Sequence, residues 1–309
     1  ARVVRHGGRA SLAAHLNYLQ RDGVTRDGER GVLFGAEAEG LDRNEFAARC
    51  EDDRHHFRFI VSPEDAEQMR DLKTFTRDLM TRMETDLGTR LDWRAVEHWN
   101  TDNSHVHIIV RGVGDDGQNL VISRDYIREG MRATAREIVT QELGLRSDYE
   151  IRLSLGRQVE AERWTEIDRD LSRTMQRDGL IDMAPEPGAR PDPDRALRIG
   201  RLRKLERLGL ASEIAPGQWT LADDAQAALR ELGERGDIIK RMHKAMTDLG
   251  IDRGAASYVL DADPAQPVIG RLVDRGLHDE LTGGAYAIVD GIDGRTHHVR
   301  FRDIEATGD

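Results

Sequence analysis

The sequence predicts an α+β fold in which an antiparallel sheet carries packed helices. Residues 54–61, 94–98 and 104–112 are short runs rich in apolar residues, as strands are. The last two runs are joined by a short polar connection, which suits an antiparallel hairpin. Apolar residues at helical spacing follow in 64–86 and again in 124–143. The order strand, helix, strand, strand, helix predicts one antiparallel sheet with the helices on one face.

Capping residues set the boundaries of these elements. A short helix over Leu12–Gln20 precedes the first strand and ends near Gly23. Ser62 closes that strand and is followed by Pro-Glu-Asp, which suits an N-cap, a first helical position and an acidic first turn. We therefore expect a helix over 64–86 that is ended by Gly88.

The chain length of 309 residues predicts two to three domains. The clearest boundary is a run of four prolines, mixed with glycine and acids, within residues 185–193. We expect a first domain over 1–155, a helix and proline-rich linker over 156–194, a third region over 195–250, and a small β domain over 251–309.

The region 195–250 has the outline of a winged helix. Leucines at helical spacing mark a helix that ends at Gly209, and residues 211–222 form a hairpin around a Pro-Gly turn. A second helix follows over 222–232. In a winged helix, the helix before the hairpin enters the DNA major groove. Residues 266–303 then alternate as the strands of a small barrel or sheet.

The charge distribution leaves a nucleic-acid partner open, although the formal net charge is −11. Residues 1–30 carry six arginines against three acids, which is a local net charge of +3. A second basic cluster contains Arg195, Arg198, Arg201, Arg203, Lys204 and Arg207. Phosphate binding needs such a local patch rather than a basic protein. A solvated surface is the alternative for both clusters.

Two features of the sequence bear on membrane insertion and on the redox compartment. No apolar run approaches the ~20 residues that a membrane-spanning helix needs, so we expect no membrane insertion. Cys50 is the only cysteine, which suits a reducing cytoplasm. Its thiol is either reactive or a small buried apolar group in the helical run 43–51, and the second interpretation is favoured.

A histidine motif indicates a metal site. His105 and His107 alternate with valine and isoleucine on one strand, so the two imidazoles share a face while the apolar side chains point to the core. The polar hairpin places His98 on the neighbouring strand beside them. Three imidazoles leave coordination positions open, as a catalytic ion requires. The alternative is a merely polar sheet face, but a His-x-His pair with a third histidine upstream favours the metal.

The pattern His98-x6-His105-x-His107 on an apolar strand resembles the HUH motif of conjugative relaxases. Residues 18–23, Tyr-Leu-Gln-Arg-Asp-Gly, are similar to the catalytic-tyrosine motif of that family, and residues 54–65 resemble its second strand. The similarity is to P-type mobilisation relaxases, the group that contains the T-DNA border-nicking enzyme. It covers the first domain and implies the HUH endonuclease fold. The later regions resemble the accessory segment that follows the relaxase domain in a proteobacterial subgroup.

The resemblance implies a metal-dependent DNA nicking and joining enzyme that starts conjugative transfer of plasmid or mobile-element DNA. The Tyr18 hydroxyl would attack one phosphate, giving a 5′-phosphotyrosine and a free 3′-OH, with Mg²⁺ or Mn²⁺ on the three histidines. The implied partners are single-stranded or hairpin oriT DNA, accessory relaxosome proteins and a type IV coupling protein. The implied location is the bacterial cytoplasm, with export of the DNA-bound chain through a type IV secretion channel. The alternative for Tyr18 is a half-buried helix residue.

The sequence leaves more than one candidate for the base that assists Tyr18. A phenol ordinarily has a pKa of about 10, so a base or the ion must help to remove its proton. Relatives often carry an aspartate two residues after the first histidine, where this chain has Asn100. Asp102 is the candidate that could replace it. Glu97 ranks lower, because a regular strand turns it away from His98.

Candidate DNA contacts are basic or aromatic residues near the motifs and in the second basic cluster. They are Arg5, Arg9, Arg21, Arg54, Arg58, Trp99, Arg201 and Lys204. Surface solvation is the alternative for the basic residues, and packing at the hairpin end is the alternative to base stacking for Trp99. His55 and His56 could join the site, but histidines at strand edges are commonly structural. We expect His297 and His298 to be solvated strand residues of another domain.

Two further functions share parts of this pattern. A rolling-circle replication initiator carries the same His-x-His motif. It differs in its role, which is plasmid replication rather than strand transfer. A non-enzymatic DNA-binding regulator would depend on residues 195–249 alone. It predicts duplex binding without metal and no covalent adduct with an oligonucleotide.

Overall fold

A computed structural model describes most of the chain and divides it into two compact units. The described residues are 1–5, 9–100, 103–184, 192, 194–262, 267–279 and 284–301. The first unit contains Ala1–Leu145 with Gly276–Ala285, and the second contains Arg146–Arg275 and Tyr286–Arg300. The prolines of the predicted linker at 185–193 lie outside the described residues. Among the helices that the structure describes, none has both the length and the apolar composition needed to cross a membrane.

An antiparallel sheet with strand order β1-β2-β4-β3 forms the centre of the first unit. Its strands are β1 (Arg2–Arg5), β2 (His55–Val61), β3 (Trp93–His98) and β4 (His105–Arg111). The last three confirm the runs predicted from the sequence. β1 was not predicted, because four residues with an arginine at each end carry too short a pattern.

Helices cover both faces of this sheet. They are α1 (Arg9–Leu19), α2 (Arg43–Arg49), α3 (Leu72–Leu87) and α4 (Met131–Leu143). α3 and α4 pack on the face that carries Phe57, Phe59 and Ile108. α1 and α2 pack on the opposite face, through Val96 and Ile109. The prediction of helices on one face was wrong, because the leucines of α1 form an apolar stripe that must be buried against the sheet as well.

The helix after β2 begins later than predicted. The residues after Ser62 form only a 3₁₀ turn over Ala66–Gln68, and α3 begins at Leu72. Its N-cap is Asp71, whose carboxylate accepts from two backbone N–H groups of the first turn. The Ser62 hydroxyl donates instead to the carbonyl of Ser104 at 2.9 Å. This bond ties the end of β2 to the residue before β4, beside the histidine motif.

Cys50 confirms the interpretation as a buried apolar group. It follows α2, and its side chain is fully buried in the core between this helix and the sheet. Burial raises the pKa of the thiol to about 12, and Asp53 and Asp92 add to the shift. Since the thiolate is the nucleophile, a raised pKa lowers reactivity.

We therefore expect the native protein to react with iodoacetamide at pH 8 about a thousandfold more slowly than a free thiol, because so little thiolate is present. Mass spectrometry of the alkylated peptide over time measures this rate. The same protein in urea is the control and should react at the ordinary rate. Rapid alkylation of the folded chain would contradict the burial of Cys50.

The second unit begins with a helical layer and a small sheet of order β5-β7-β6. Its elements are α5 (Asp148–Val159), α6 (Glu166–Asp178), β5 (Ile181–Asp182), α7 (Arg195–Arg207), β6 (Ala211–Ala215), β7 (Gln218–Leu221) and α8 (Ala225–Asp248). One apolar core joins Leu171 of α6, Leu202 and Leu205 of α7 and Trp219 of β7. α6, which the sequence analysis placed in the segment before the third region, therefore shares the core of that region.

Arg201 corrects a prediction of DNA contact. Its guanidinium is fully buried and donates to both carboxylate oxygens of Asp168, at 2.7 and 2.8 Å. Its other hydrogen bonds go to backbone carbonyls of the segment 159–163. An enclosed guanidinium with every N–H engaged cannot reach a phosphate. Lys204 lies 2.9 Å from Glu162 and 3.8 Å from Glu160, so its charge is offset within the protein.

A four-stranded sheet of order β8-β11-β10-β9 completes the described chain. Its strands are β8 (Tyr258–Ala262), β9 (Gly270–Asp279), β10 (Gly284–Gly291) and β11 (Thr296–Phe301). α8, which continues well past the predicted helix over 222–232, packs on Tyr286 and Ile288. His297 lies 2.9 Å from the Asp293 carboxylate. His298 was expected to be solvated but is fully buried and stacks on Tyr286.

Candidate metal centre

The three histidines of the motif meet at one end of the first sheet. His98 ends β3 and is the direct cross-strand partner of His105, which begins β4. His107 lies two residues further along the same face of β4. All three side chains are buried, and their candidate ligand atoms lie within 4.8 Å of one another. The geometry thus brings together the residues that the sequence analysis selected.

Hydrogen bonds to the backbone fix which nitrogen of two of these rings carries a proton. A carbonyl can only accept, so His105 Nδ1–H donates to the Asn103 carbonyl at 2.8 Å, and its Nε2 carries the lone pair. That Nε2 lies 3.0 Å from the Nε2 of His107. By the same logic, His98 Nε2–H donates to the Leu19 carbonyl at 2.7 Å, which leaves the lone pair on Nδ1.

This donor set fits a divalent ion. Metal-binding histidines usually donate their second ring N–H to a carbonyl or carboxylate, which orients the ring. His98 and His105 each make such a bond to a backbone carbonyl. Burial excludes bulk water, and three protein nitrogens leave positions for substrate oxygens. His98, His105 and His107 are therefore the residues that would hold the ion.

The tautomers are directly testable. In the metal-free protein at pH 8, where an ordinary imidazole is neutral, we expect His98 to be protonated on Nε2 and His105 on Nδ1. Two-bond ¹⁵N–¹H correlation NMR distinguishes the two forms for each ring. Finding His98 protonated on Nδ1 would contradict the bond to Leu19, and His105, with the opposite tautomer, serves as the internal control.

Tyr18 lies in the last turn of α1, beside the residue that contacts the triad. Its ring is half-buried against the apolar cluster under α1, and the Arg21 guanidinium lies over it at 4.4 Å from the ring centre. Leu19, the next residue, supplies the carbonyl that His98 contacts. The structure therefore brings the tyrosine motif and the histidine motif together, although 79 positions separate Leu19 from His98.

Tyr126 is the other tyrosine of Ala1–Leu145 and has a different setting. It packs against the apolar cluster on the sheet face opposite the triad. Its hydroxyl donates to the Asp86 carboxylate at 2.7 Å. Burial and this carboxylate raise the pKa of the phenol. Both effects oppose its ionisation, which a nucleophilic tyrosine requires.

Of the residues considered for a base near the first histidine, Asn100 and Glu97 are described by the structure. Asp102 lies outside the described residues. Asn100 is exposed, and Glu97 accepts from the Trp99 indole N–H at 3.0 Å. The backbone carbonyl of Leu19 orients His98 instead. Sequence reasoning missed it because a main-chain carbonyl has no residue signature.

The candidate DNA contacts separate into exposed and packed residues. Arg58 corrects the prediction of a surface phosphate contact, since it is buried and donates to His56 Nε2 at 3.0 Å. Trp99 packs against the apolar cluster of the sheet, and the Arg26 guanidinium covers its ring at 4.1 Å. For Trp99, these contacts match the alternative of packing at the hairpin end.

The exposed candidates lie away from the triad along the strands. Arg5 ends β1 opposite His55, and Arg54 precedes β2. The β2–β4 register places this end of β2 beside Arg111, at the other end of β4 from His105. Arg9 is exposed in the first turn of α1, whereas Tyr18 lies in the last. Arg21, in contrast, contacts a motif residue, because its guanidinium lies over the Tyr18 ring.

His55 and His56 have structural partners. His55 Nε2–H donates to the Leu120 carbonyl at 3.1 Å, and His56 accepts from Arg58. Both lie at the end of β2 that pairs with Arg111, away from the triad. The expectation that these two histidines are structural agrees with these contacts.

Two family models match the chain. Residues 198–309 match a family described only as a protein of unknown function, DUF3363. No curated protein and no solved structure matches significantly. Residues 35–145 match the relaxase family, described as the MobA/VirD2-like nuclease domain, and this range contains the whole histidine triad. The chain therefore carries a nuclease domain of the MobA/VirD2-like relaxase family.

Proposed function

We propose that this chain cuts and rejoins one DNA strand to start conjugative mobilisation, with Tyr18 as the nucleophile. The nuclease family supports nicking, and the three buried histidines support a metal site. The observation that carries the tyrosine role is the contact of Leu19 with His98, because it places the end of α1 against the triad. We propose the HUH endonuclease fold for this domain.

The covalent step is a transesterification. The Tyr18 oxygen forms a bond to phosphorus, the bond from phosphorus to the 3′ oxygen breaks, and the phenolic proton leaves to a base while the 3′ oxygen gains one. When bound, Mg²⁺ or Mn²⁺ supplies a Lewis acid for a non-bridging phosphate oxygen. The phosphotyrosine is still a phosphodiester, so attack by a 3′-OH reverses the reaction and rejoins a strand.

The partners follow from this role. We propose that the DNA substrate is the single-stranded or hairpin part of an oriT, and that accessory relaxosome proteins and a type IV coupling protein assist in the bacterial cytoplasm and in export. The helix–hairpin–helix of residues 195–250 remains a winged-helix proposal, followed by the small β domain of 251–309. A regulator that acts through α7 alone is disfavoured, because Arg201 is buried and Lys204 is paired with acids.

The test is formation of a covalent adduct. Wild-type protein, Mg²⁺ or Mn²⁺, and a labelled single-stranded oligonucleotide that carries its own oriT should give a protein–DNA band that survives denaturation. EDTA should abolish the band, and the complementary strand should not form it. If the cognate strand gives no band with either ion, the proposed function fails.

A further inference from the structure

We propose that Arg21 is a positioning residue that holds the Tyr18 ring for attack, and that it is not a DNA phosphate contact. This inference rests on the proposed function. It replaces the expectation that Arg21 binds the DNA backbone.

The guanidinium of Arg21 already has an aromatic partner. It lies over the Tyr18 ring at 4.4 Å from the ring centre, well inside the ~6 Å range in which a cation is attracted to an aromatic face. Both side chains are half-buried, which strengthens the attraction compared with full exposure. A cation held over the ring face favours one rotamer of Tyr18 about its Cα–Cβ bond, and this rotamer sets where the hydroxyl oxygen lies.

The backbone of Arg21 is fixed on both sides. Its N–H donates to the Tyr18 carbonyl at 3.1 Å, and its carbonyl accepts from Gly31 at 3.2 Å. Gly31 is closely packed, since a Cβ there would meet methyl groups of Val24 and Val96 at 2.8 Å. The segment after α1 therefore packs closely against β3, and this packing fixes the position of the Arg21 backbone.

The same turn also holds the metal ligand. The carbonyl of Leu19, between Tyr18 and Arg21, accepts from His98 at 2.7 Å. This turn therefore orients His98 through the Leu19 carbonyl and orients Tyr18 through the Arg21 side chain. Small displacements of a reacting group cost large factors in rate, so the rate depends on both contacts.

The test separates catalysis from binding. Arg21→Met keeps the length of the side chain and removes its charge. We expect the single-turnover rate constant for adduct formation, at saturating oriT oligonucleotide, to fall roughly tenfold. We expect the dissociation constant for the same oligonucleotide in EDTA, and its dependence on salt, to stay unchanged. Arg21→Lys keeps a cation over the ring and should recover part of the rate.

Arg26→Met is the matched control. Arg26 lies in the same segment and also covers an aromatic ring, but that ring belongs to Trp99. Arg26→Met removes the same charge as Arg21→Met, so a general loss of positive potential would slow both variants equally. We expect the rate constant of Arg26→Met at saturation to stay within about twofold of wild type.

Three results overturn the inference. A phosphate contact predicts weaker binding, a salt slope reduced by about one, and a normal rate at saturation. An unchanged rate in a folded Arg21→Met, or an Arg21→Lys no better than Arg21→Met, also contradicts positioning. If Arg21→Met unfolds, the same two measurements, the rate constant at saturation and the dissociation constant, are made on Arg21→Gln and Arg21→Lys. Failure of wild type to form any adduct refutes the proposed function itself, which is a distinct outcome.

Discussion

Tyr18→Phe is expected to abolish the covalent adduct, by at least about a thousandfold in rate, while the protein still binds its oligonucleotide. The variant removes only the attacking oxygen and keeps the ring under Arg21. Loss of a nucleophile removes the covalent route, so only slow background chemistry remains. The adduct is measured on a denaturing gel and binding by fluorescence anisotropy.

Tyr126→Phe is the matched control for this prediction. It removes the same atom from the other tyrosine of Ala1–Leu145, whose hydroxyl is bonded to Asp86 on the opposite sheet face. It should cost about 1 kcal/mol of folding free energy, as for a typical hydrogen bond, and leave the adduct rate unchanged. An adduct of normal yield from Tyr18→Phe would show that another group attacks the phosphate.

His107→Ala is expected to weaken Mn²⁺ binding by more than about 100-fold and to remove nicking at micromolar metal. Loss of an outer-shell partner alone typically costs 10–100-fold in affinity, and here a ligand itself is lost. His107 is buried and its Nε2 lies 3.0 Å from that of His105, so its loss removes one of the three clustered ligand nitrogens. Titration calorimetry with Mn²⁺ measures the affinity.

His55→Ala is the matched control for the metal prediction. His55 belongs to the same sheet, but its ring bonds to the Leu120 carbonyl and lies at the other end of the strands. Its removal should leave Mn²⁺ affinity within about twofold, since no ligand or partner of a ligand is lost. Equal losses in both variants would show that the effect reflects general destabilisation and would contradict a site on His98, His105 and His107.

The second unit shows how a family boundary can cut through a folded core. The matched region that starts at residue 198 contains Arg201, but the carboxylate that neutralises it belongs to Asp168, before the match. A buried cation without its partner is strongly destabilising. The segment with α6 is therefore needed for this region to fold as the structure describes it.

The sequence alone determined the triad, the strands that carry it and the burial of Cys50. These features depend on short-range patterns: alternation along a strand places His105 and His107 on one face, and a short hairpin returns the chain beside His98. Matching local patterns to known motifs also identified the nuclease family, which the comparison over residues 35–145 supports independently.

Only the tertiary structure decided the features that depend on residues far apart in the chain. Arg201 appears as one more cation of a basic helix until Asp168 and three carbonyls enclose it. Helices cover both faces of the first sheet because the apolar stripe of each helix must be buried against one face or the other. The contact between the Leu19 carbonyl and His98 has no signature in the sequence, because every residue has a carbonyl and only the fold selects which one reaches the histidine triad.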